Sequence, residues 1–436
     1  MKTVFTEKIT TQLTQIPAVY GRVDFSITPV RFTAQPGDQT ELHPEFAHLR
    51  PELLADKERV ALIRSYTLIG DVVADAYAAL IPQYGFEGLV KMLEQACDRG
   101  LESVPSAPPE LVRFIQAMEQ LPPWLDRKLI EEGARLERNG YAHKVPFALR
   151  GGFIATFMNK YSALPMILTG ALSHKSAGRR VRETGTFYIS MVMPDVLDRR
   201  SVAFKSAGMV RLMHSMVRFN LLDGGDRWDP TTYGVPIPQV DQLPAGLLSA
   251  GLLAQNAFRR GRTAFTPSER ARVELGRYRC FLLGLPQALL PDTPRDIATI
   301  LLTRHATLRK GFDDTCIDLV RATMDADLTT DRSLPDRLHE RIERGFARVC
   351  FVPKFLRAGK NSASGVHVGL ADYVAAAAAV ILIAVRMTAY GSAAFIPGIR
   401  RAADRSLVRK LNRQLTRYGH AEFKTNAATY GSAHAG

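Results

Sequence analysis

Cysteine is scarce in this chain. Only Cys97, Cys280, Cys316 and Cys350 occur among 436 residues, and no two of them form a CxxC pair. Their spacing suggests neither a zinc site nor a redox dithiol, and it fits a reducing compartment. Segments that alternate apolar and polar residues with period two are few, which argues against a sheet protein. No basic run is interleaved with aromatics and no RNA-binding signature occurs, so no nucleic acid is expected as a partner, although the formal charge is +14. The remaining anionic partners are a phospholipid surface or an acidic ligand. The start, MKTVFTEKITTQ, lacks a charged segment followed by an apolar one. No secretory signal is read there, and the expected location is the cytoplasm, with the inner membrane face as a peripheral alternative. There is no internal repeat and no compositional bias toward disorder.

What is present is helical. Apolar positions recur at three and four, and the expected fold class is all-α. Thr266-Pro267-Ser268-Glu269 and Thr293-Pro294-Arg295-Asp296 each offer an N-cap threonine, a proline at the first helical position and an acid at the third. Proline-rich breaks at 104–109, 121–123, 234–244 and 290–294 suggest a three-part chain. The parts are an N-terminal helical region over 1–100, a core over 101–310, and a C-terminal helical region over 311–436. In the last part, the apolar run Val374 to Val385 is too short to span a bilayer, which takes about 20 residues, and predicts a buried helix. Beyond it Arg401, Arg405, Arg409, Arg413 and Arg417 recur every four residues, with Leu407, Val408, Leu411 and Leu415 on another face. This predicts a basic amphipathic helix, either solvated on its charged side or in peripheral contact with a membrane. The final residues, NAATYGSAHAG and their neighbours, read as a loose tail.

The most informative stretch is GMVRLMHSMVRFNLL, residues 208–222, where one histidine, His214, stands among Met209, Leu212, Met213, Met216, Val217 and Phe219. A neutral imidazole within hydrocarbon suits haem ligation, with neighbours such as Met213 packing the porphyrin. The same pattern also describes a hydrogen-bonded core histidine. Arg211, three residues before it, and Arg218, four after, share its side of the helix. They suit haem propionates or structural salt bridges equally well. Upstream, Arg182 and Thr186 stand four apart in AGRRVRETGTFYIS, placing a guanidinium and a hydroxyl on one helix face. Such a pair could hydrogen-bond dioxygen or a developing oxyanion, or simply occupy a helix surface.

In order along the chain, Pro122-Pro123-Trp124-Leu125-Asp126, the Arg182/Thr186 pair, the helix carrying Val210 to His214 with Val217-Arg218, and Trp228 followed by Gly234-Val235-Pro236-Ile237-Pro238-Gln239-Val240-Asp241 resemble the MpaB-type / latex clearing protein (rubber oxygenase) catalytic domain family. The resemblance covers roughly residues 110 to 310. It implies a b-type haem in an all-α fold with a globin-like core and added N- and C-terminal helices. His214 would be the proximal iron ligand, with Arg182 and Thr186 as distal polar groups. It further implies dioxygen as co-substrate and a hydrophobic small molecule or prenyl compound as substrate, cleaved at a carbon-carbon double bond.

The sequence departs from the rubber-cleaving pattern at three places. No export signal is read. Gly185 stands where relatives can carry a lysine that approaches the iron. No glutamate occurs in the stretch from Tyr161 to Ala171, where a distal acid/base would be sought. PPWLD and GVPIPQVD read as structural, through buried Trp124 and Trp228 and turn-forming prolines, with Gln239 and Asp241 in turn chemistry. The expected function is a haem b-dependent oxygenase acting on an unsaturated substrate. A globin-like haem sensor or peroxidase, and a membrane-surface helical protein without haem, are the alternatives.

Overall fold

The structure, a computed structural model, describes residues 2–168, 177–223, 227–351, 366–393 and 396–419. The expected loose tail lies outside them. Among the described residues the chain is all-α: there is no strand, only two isolated antiparallel bridges, Phe32 with Leu308 and Thr40 with Arg309.

The chain forms two compact units, residues 1–133 with 197–311, and residues 134–196 with 312–436. The second unit takes up the chain again from residue 312. The chain leaves the first unit at 134 and returns at 197, so the stretch read as one central core is shared by two bodies. No change in composition marks those crossings, and a linear reading cannot register them.

In the first unit the 21-residue helix Val202–Leu222 is the axis of the packing. Ser201 starts it by accepting the Phe204 amide, and it lies against helices Val72–Ala78 and Ile81–Arg99. Both anticipated caps form. Thr266 and Glu269 make a reciprocal capping box on Pro267–Leu282, and Thr293 accepts the Asp296 amide at the head of Pro294–Thr307.

The second unit is built around Arg150 on helix Val145–Ile154. Its buried guanidinium donates to Glu343 Oε2 at 2.9 Å, to Glu340 Oε1 at 3.0 Å, and to the carbonyls of Thr323, Met324 and Ala326. Beside it Phe153, Phe157, Val181, Leu319 and Val320 close an apolar core. Helix Leu334–Cys350 packs closely along helix Leu370–Ala393, where a Cβ on Gly345 would stand 2.5 Å from the Ala375 methyl. Only hydrogen fits at that crossing.

The buried helix expected over 374–385 is corrected here. The helix runs 24 residues, because Ala, Met and Thr beyond Arg386 continue it, and it buries only Ala375, Ala376 and Ala379. Leu370, Val374, Ile381 and Val385 are 81%, 65%, 61% and 63% exposed. The following helix, Pro397–Tyr418, is the anticipated amphipathic one: Leu407 and Leu411 are buried while Arg401, Arg405, Arg409, Arg413 and Arg417 are exposed.

His143 of the second unit is buried and packs against Tyr390, with ring centroids 4.8 Å apart and planes tilted by 39°. Burial, reinforced by Lys410 and Arg386, lowers its pKa to about 4. The unfolded imidazole therefore takes up a proton below about pH 6.5 while the folded one stays neutral until about 4, so stability falls as pH drops through that window. The expected loss approaches about 1.4 kcal/mol per pH unit. In urea titrations at pH 7, 6 and 5, His143→Phe, which retains an aromatic ring against Tyr390, should flatten this dependence.

Candidate functional site

The residues singled out from sequence fall in both units. Arg211, Met213, His214 and Arg218 share helix Val202–Leu222 of the first, and Arg182 and Thr186 share helix Ala177–Ser190 of the second.

In the first unit His214 is half-buried, and its Nδ1 lies 3.3 Å from Oε1 of Gln242, on helix Gln239–Gly246. Where Nδ1 carries the proton and donates it to that amide oxygen, the lone pair is on Nε2, the form a metal-binding imidazole takes. Gln242 was not found from sequence. It sits 28 residues away, and no spacing rule connects the two. Met213 is half-buried beside the histidine.

Arg211 and Arg218 hold carboxylates of the chain itself. Arg211 donates to both oxygens of Asp71, at 2.6 and 2.8 Å, and lies over the Phe114 ring at 4.9 Å. Arg218 donates from Nε to Asp75 Oδ1 at 2.8 Å, from Nη1 to the Ile237 carbonyl at 2.9 Å and from Nη2 to Ser215 Oγ at 3.0 Å. Tyr20 donates to the other Asp75 oxygen at 2.5 Å. Burial alone would raise the Asp71 carboxyl, but the Arg211 ion pair and its hydrogen bonds more than offset this and hold it below the usual carboxylate range. Of the two roles open to these arginines, the structure displays the ion-pairing one, so neither is carried forward as a propionate contact.

The same network explains GVPIPQVD. Ile237 adopts φ +47°, a strained value for a β-branched residue, while its carbonyl accepts from Arg218. The Val235 amide donates to Thr67 O, Gln239 to Gly284 O at 3.0 Å, and Asp241 receives Arg31 at 2.6 Å. Trp228 is buried and donates to Gly234 O at 2.7 Å. Trp124, expected to be buried, is half-exposed and lies under the Arg277 guanidinium at 5.0 Å. Two cavities in this unit, of about 280 and 230 Å³, are not lined by His214.

In the second unit Arg182 reaches the carbonyls of Asp327 and Thr329 only at 3.4 Å, the weak end of hydrogen bonding. Thr186, one turn on, is 3% exposed, and its hydroxyl has no hydrogen-bond partner. A helical threonine normally satisfies itself on the carbonyl four residues back, so an orphaned buried hydroxyl calls for an explanation, and an absent ligand is one. Glu183, passed over in the sequence, is buried on the same helix, and burial pushes its carboxyl up against the opposing pull of Arg180. A Cβ on Gly185 would lie 3.0 Å from Leu149 and 3.1 Å from Tyr418, so any side chain here requires those two to give by a few tenths of an ångström.

Taken unit by unit, the His214 imidazole beside Gln242 is of a kind that suits a haem iron, and, within the second unit, the weakly held Arg182 guanidinium and the unpartnered Thr186 hydroxyl are donors of a kind that suits an oxygen ligand.

The chain belongs to the family described as ER-bound oxygenase mpaB/B'/rubber oxygenase, catalytic domain, which it matches over residues 140–359. This match begins after PPWLD and extends past residue 310, and it contains Arg182, Thr186 and His214. Among solved structures the chain is similar to "Structure of Latex Clearing Protein LCP in the closed state", with TM-score 0.55 and 17% identity, covering 80% of this chain and 91% of that one. No curated protein matches the sequence.

Proposed function

We propose that the chain is a haem b-dependent oxygenase acting on a hydrophobic, unsaturated substrate of the isoprenoid class. The reaction is oxidative cleavage of a carbon-carbon double bond, in which one dioxygen supplies both carbonyl oxygens. The observation that supports this reading is the buried, unpartnered hydroxyl of Thr186 in a chain of an oxygenase family.

Bound haem supplies the iron centre that activates dioxygen. His214 would hold the haem iron through its imidazole, and Gln242, 3.3 Å from Nδ1, would orient the ring. Met213 contributes apolar wall. Within the second unit, Thr186 and Arg182 would be hydrogen-bond donors to a developing negative oxygen, one through a rotatable hydroxyl and the other through a fixed fork. Arg211 and Arg218, tied to Asp71 and Asp75, lock the helix that presents the histidine.

Thr186→Val separates catalysis from architecture. Removing an unsatisfied buried hydroxyl at nearly constant volume should leave the unfolding midpoint unchanged or raise it. Oxygen consumption by reduced, haem-loaded protein with an unsaturated substrate should fall about tenfold to a hundredfold. Unchanged turnover in a stably folded variant would remove Thr186 from the mechanism. Oxygen uptake that never depends on an alkene, even in the wild type, would point to a haem sensor instead.

A further inference from the structure

Helix Leu370–Ala393 of the second unit presents to solvent a face that the oxygenase reading does not use. Leu370, Val374, Ala377, Ile381, Ala384 and Thr388 are all exposed, and they recur at alternating intervals of four and three. That is the spacing of a helix–helix seam, in which every position stays turned toward one partner. Tyr373 and Val380 border the seam on one side and Val385 on the other, each more than half exposed. The helix's two charged residues, Asp372 and Arg386, lie on the far side, where Ala375 meets Gly345 of Leu334–Cys350. The seam is therefore free of charge over about 27 Å of helix. An apolar patch of this extent is at the upper end of the few hundred Å² that monomers ordinarily leave in water.

The seam is also self-complementary. A two-fold axis perpendicular to the helix at the level of Ala379 turns Leu370 onto Thr388, Val374 onto Ala384 and Ala377 onto Ile381 of an identical, antiparallel helix. Each layer then pairs a larger side chain with a smaller one, which fills the seam evenly and lets the two backbones approach closely. Aligned in parallel, the same helices would set Ala377 on Ala377 and Ala384 on Ala384, leaving gaps beside the layers of paired Val374 and paired Ile381. Their macrodipoles would also repel in that arrangement and attract in the antiparallel one.

We propose that this face joins two copies of the chain as an antiparallel, two-fold symmetric dimer. Such a contact is isologous, so each of the three complementary layers occurs twice. With its apolar borders the face is of the order of the roughly 800 Å² per partner that a stable interface removes from water. A lipid surface suits it less well, because helices that lie in a membrane interface carry Lys or Arg beside their apolar face, and both charges of this helix are on its far side. By length and composition the helix could cross a bilayer. Crossing would draw Arg337, Arg341, Arg344 and Arg348 of Leu334–Cys350, which packs along it, into hydrocarbon.

The test is sedimentation velocity of the full chain across the micromolar range. The wild type should show a dimer that dissociates on dilution. Ile381→Glu and Ala384→Lys, each at an exposed position, should raise the dissociation constant at least about a hundredfold by burying an unpaired charge against the partner, with circular dichroism unchanged. Register is read by cross-linking in a Cys350→Ser background, which removes the one native thiol that is not buried. Val374→Cys and Ala384→Cys proteins should give a disulfide-linked dimer when mixed and oxidised, and neither should do so alone, since each position faces the other and not itself. A wild type that stays monomeric throughout, a dimer unaffected by both charge variants, or linking within one cysteine variant alone would each overturn the proposal. So would a monomer that floats with phospholipid vesicles, because the exposed face would then be turned to lipid.

Discussion

Replacing His214 with alanine should abolish or strongly shift the Soret band of haem-loaded protein while leaving the far-ultraviolet circular dichroism intact. The helix should survive the change. Alanine has the highest helix propensity, position 214 is only half-buried, and the Arg211–Asp71 and Arg218–Asp75 pairs on either side hold the helix independently of the imidazole. Loss of colour would thus report lost ligation rather than lost fold. Gln242→Leu supplies a graded control. It removes the acceptor 3.3 Å from Nδ1 and should cost about tenfold to a hundredfold in haem affinity, as outer-shell partners of metal-binding histidines do. An unaltered spectrum in His214→Ala would mean that iron is held elsewhere or not at all, and the oxygenase mechanism as written would fail with it.

The second large effect concerns stability. Asp75→Ala or Arg218→Ala should destabilise the first unit by about 3–5 kcal/mol, because each leaves a charge stranded in a site with no solvent access. Both side chains are 0% exposed, and the Arg218 guanidinium also serves Ser215 and the strained Ile237 carbonyl. The double variant Asp75→Leu/Arg218→Met should cost less than the sum of the two alanine variants, since no lone charge remains. The exposed pair Arg332–Asp327, 3.9 Å apart, should contribute under about 1 kcal/mol. Denaturant unfolding of the wild type, the three buried-pair variants and an Asp327→Ala variant checks the ordering. A single-site cost near that of the surface pair would show that water reaches Asp75.

These two predictions mark where sequence reading succeeds and where it stops. Local signals were legible. The threonine caps at 266 and 293, the placement of Arg182 and Thr186 one turn apart, and the arginine row of the last helix all follow from spacing within a single element. Partners brought together by folding were not. Arg211 and Arg218 are seven residues apart and meet Asp71 and Asp75, four apart on a short helix more than a hundred residues earlier. That pair of acids in an otherwise apolar segment, DVVADAYAAL, was the available clue.

The helix over 370–393 was misread for a different reason. Periodicity reports which side chains are apolar, not whether another element arrives to cover them, and Arg386 ends the apolar composition without ending the helix. The Thr186 hydroxyl is a third case, because only coordinates can reveal that an atom lacks a partner.

Gly185 and Tyr418 together carry a practical consequence. The tyrosine that closes the final described helix rests against the turn bearing Arg182 and Thr186. Cutting the chain ahead of Pro397 would therefore strip a wall from the proposed oxygen-handling helix, so loss of turnover on truncation would not place a catalytic group in the last helix. Point changes, with the full length retained, separate support from chemistry.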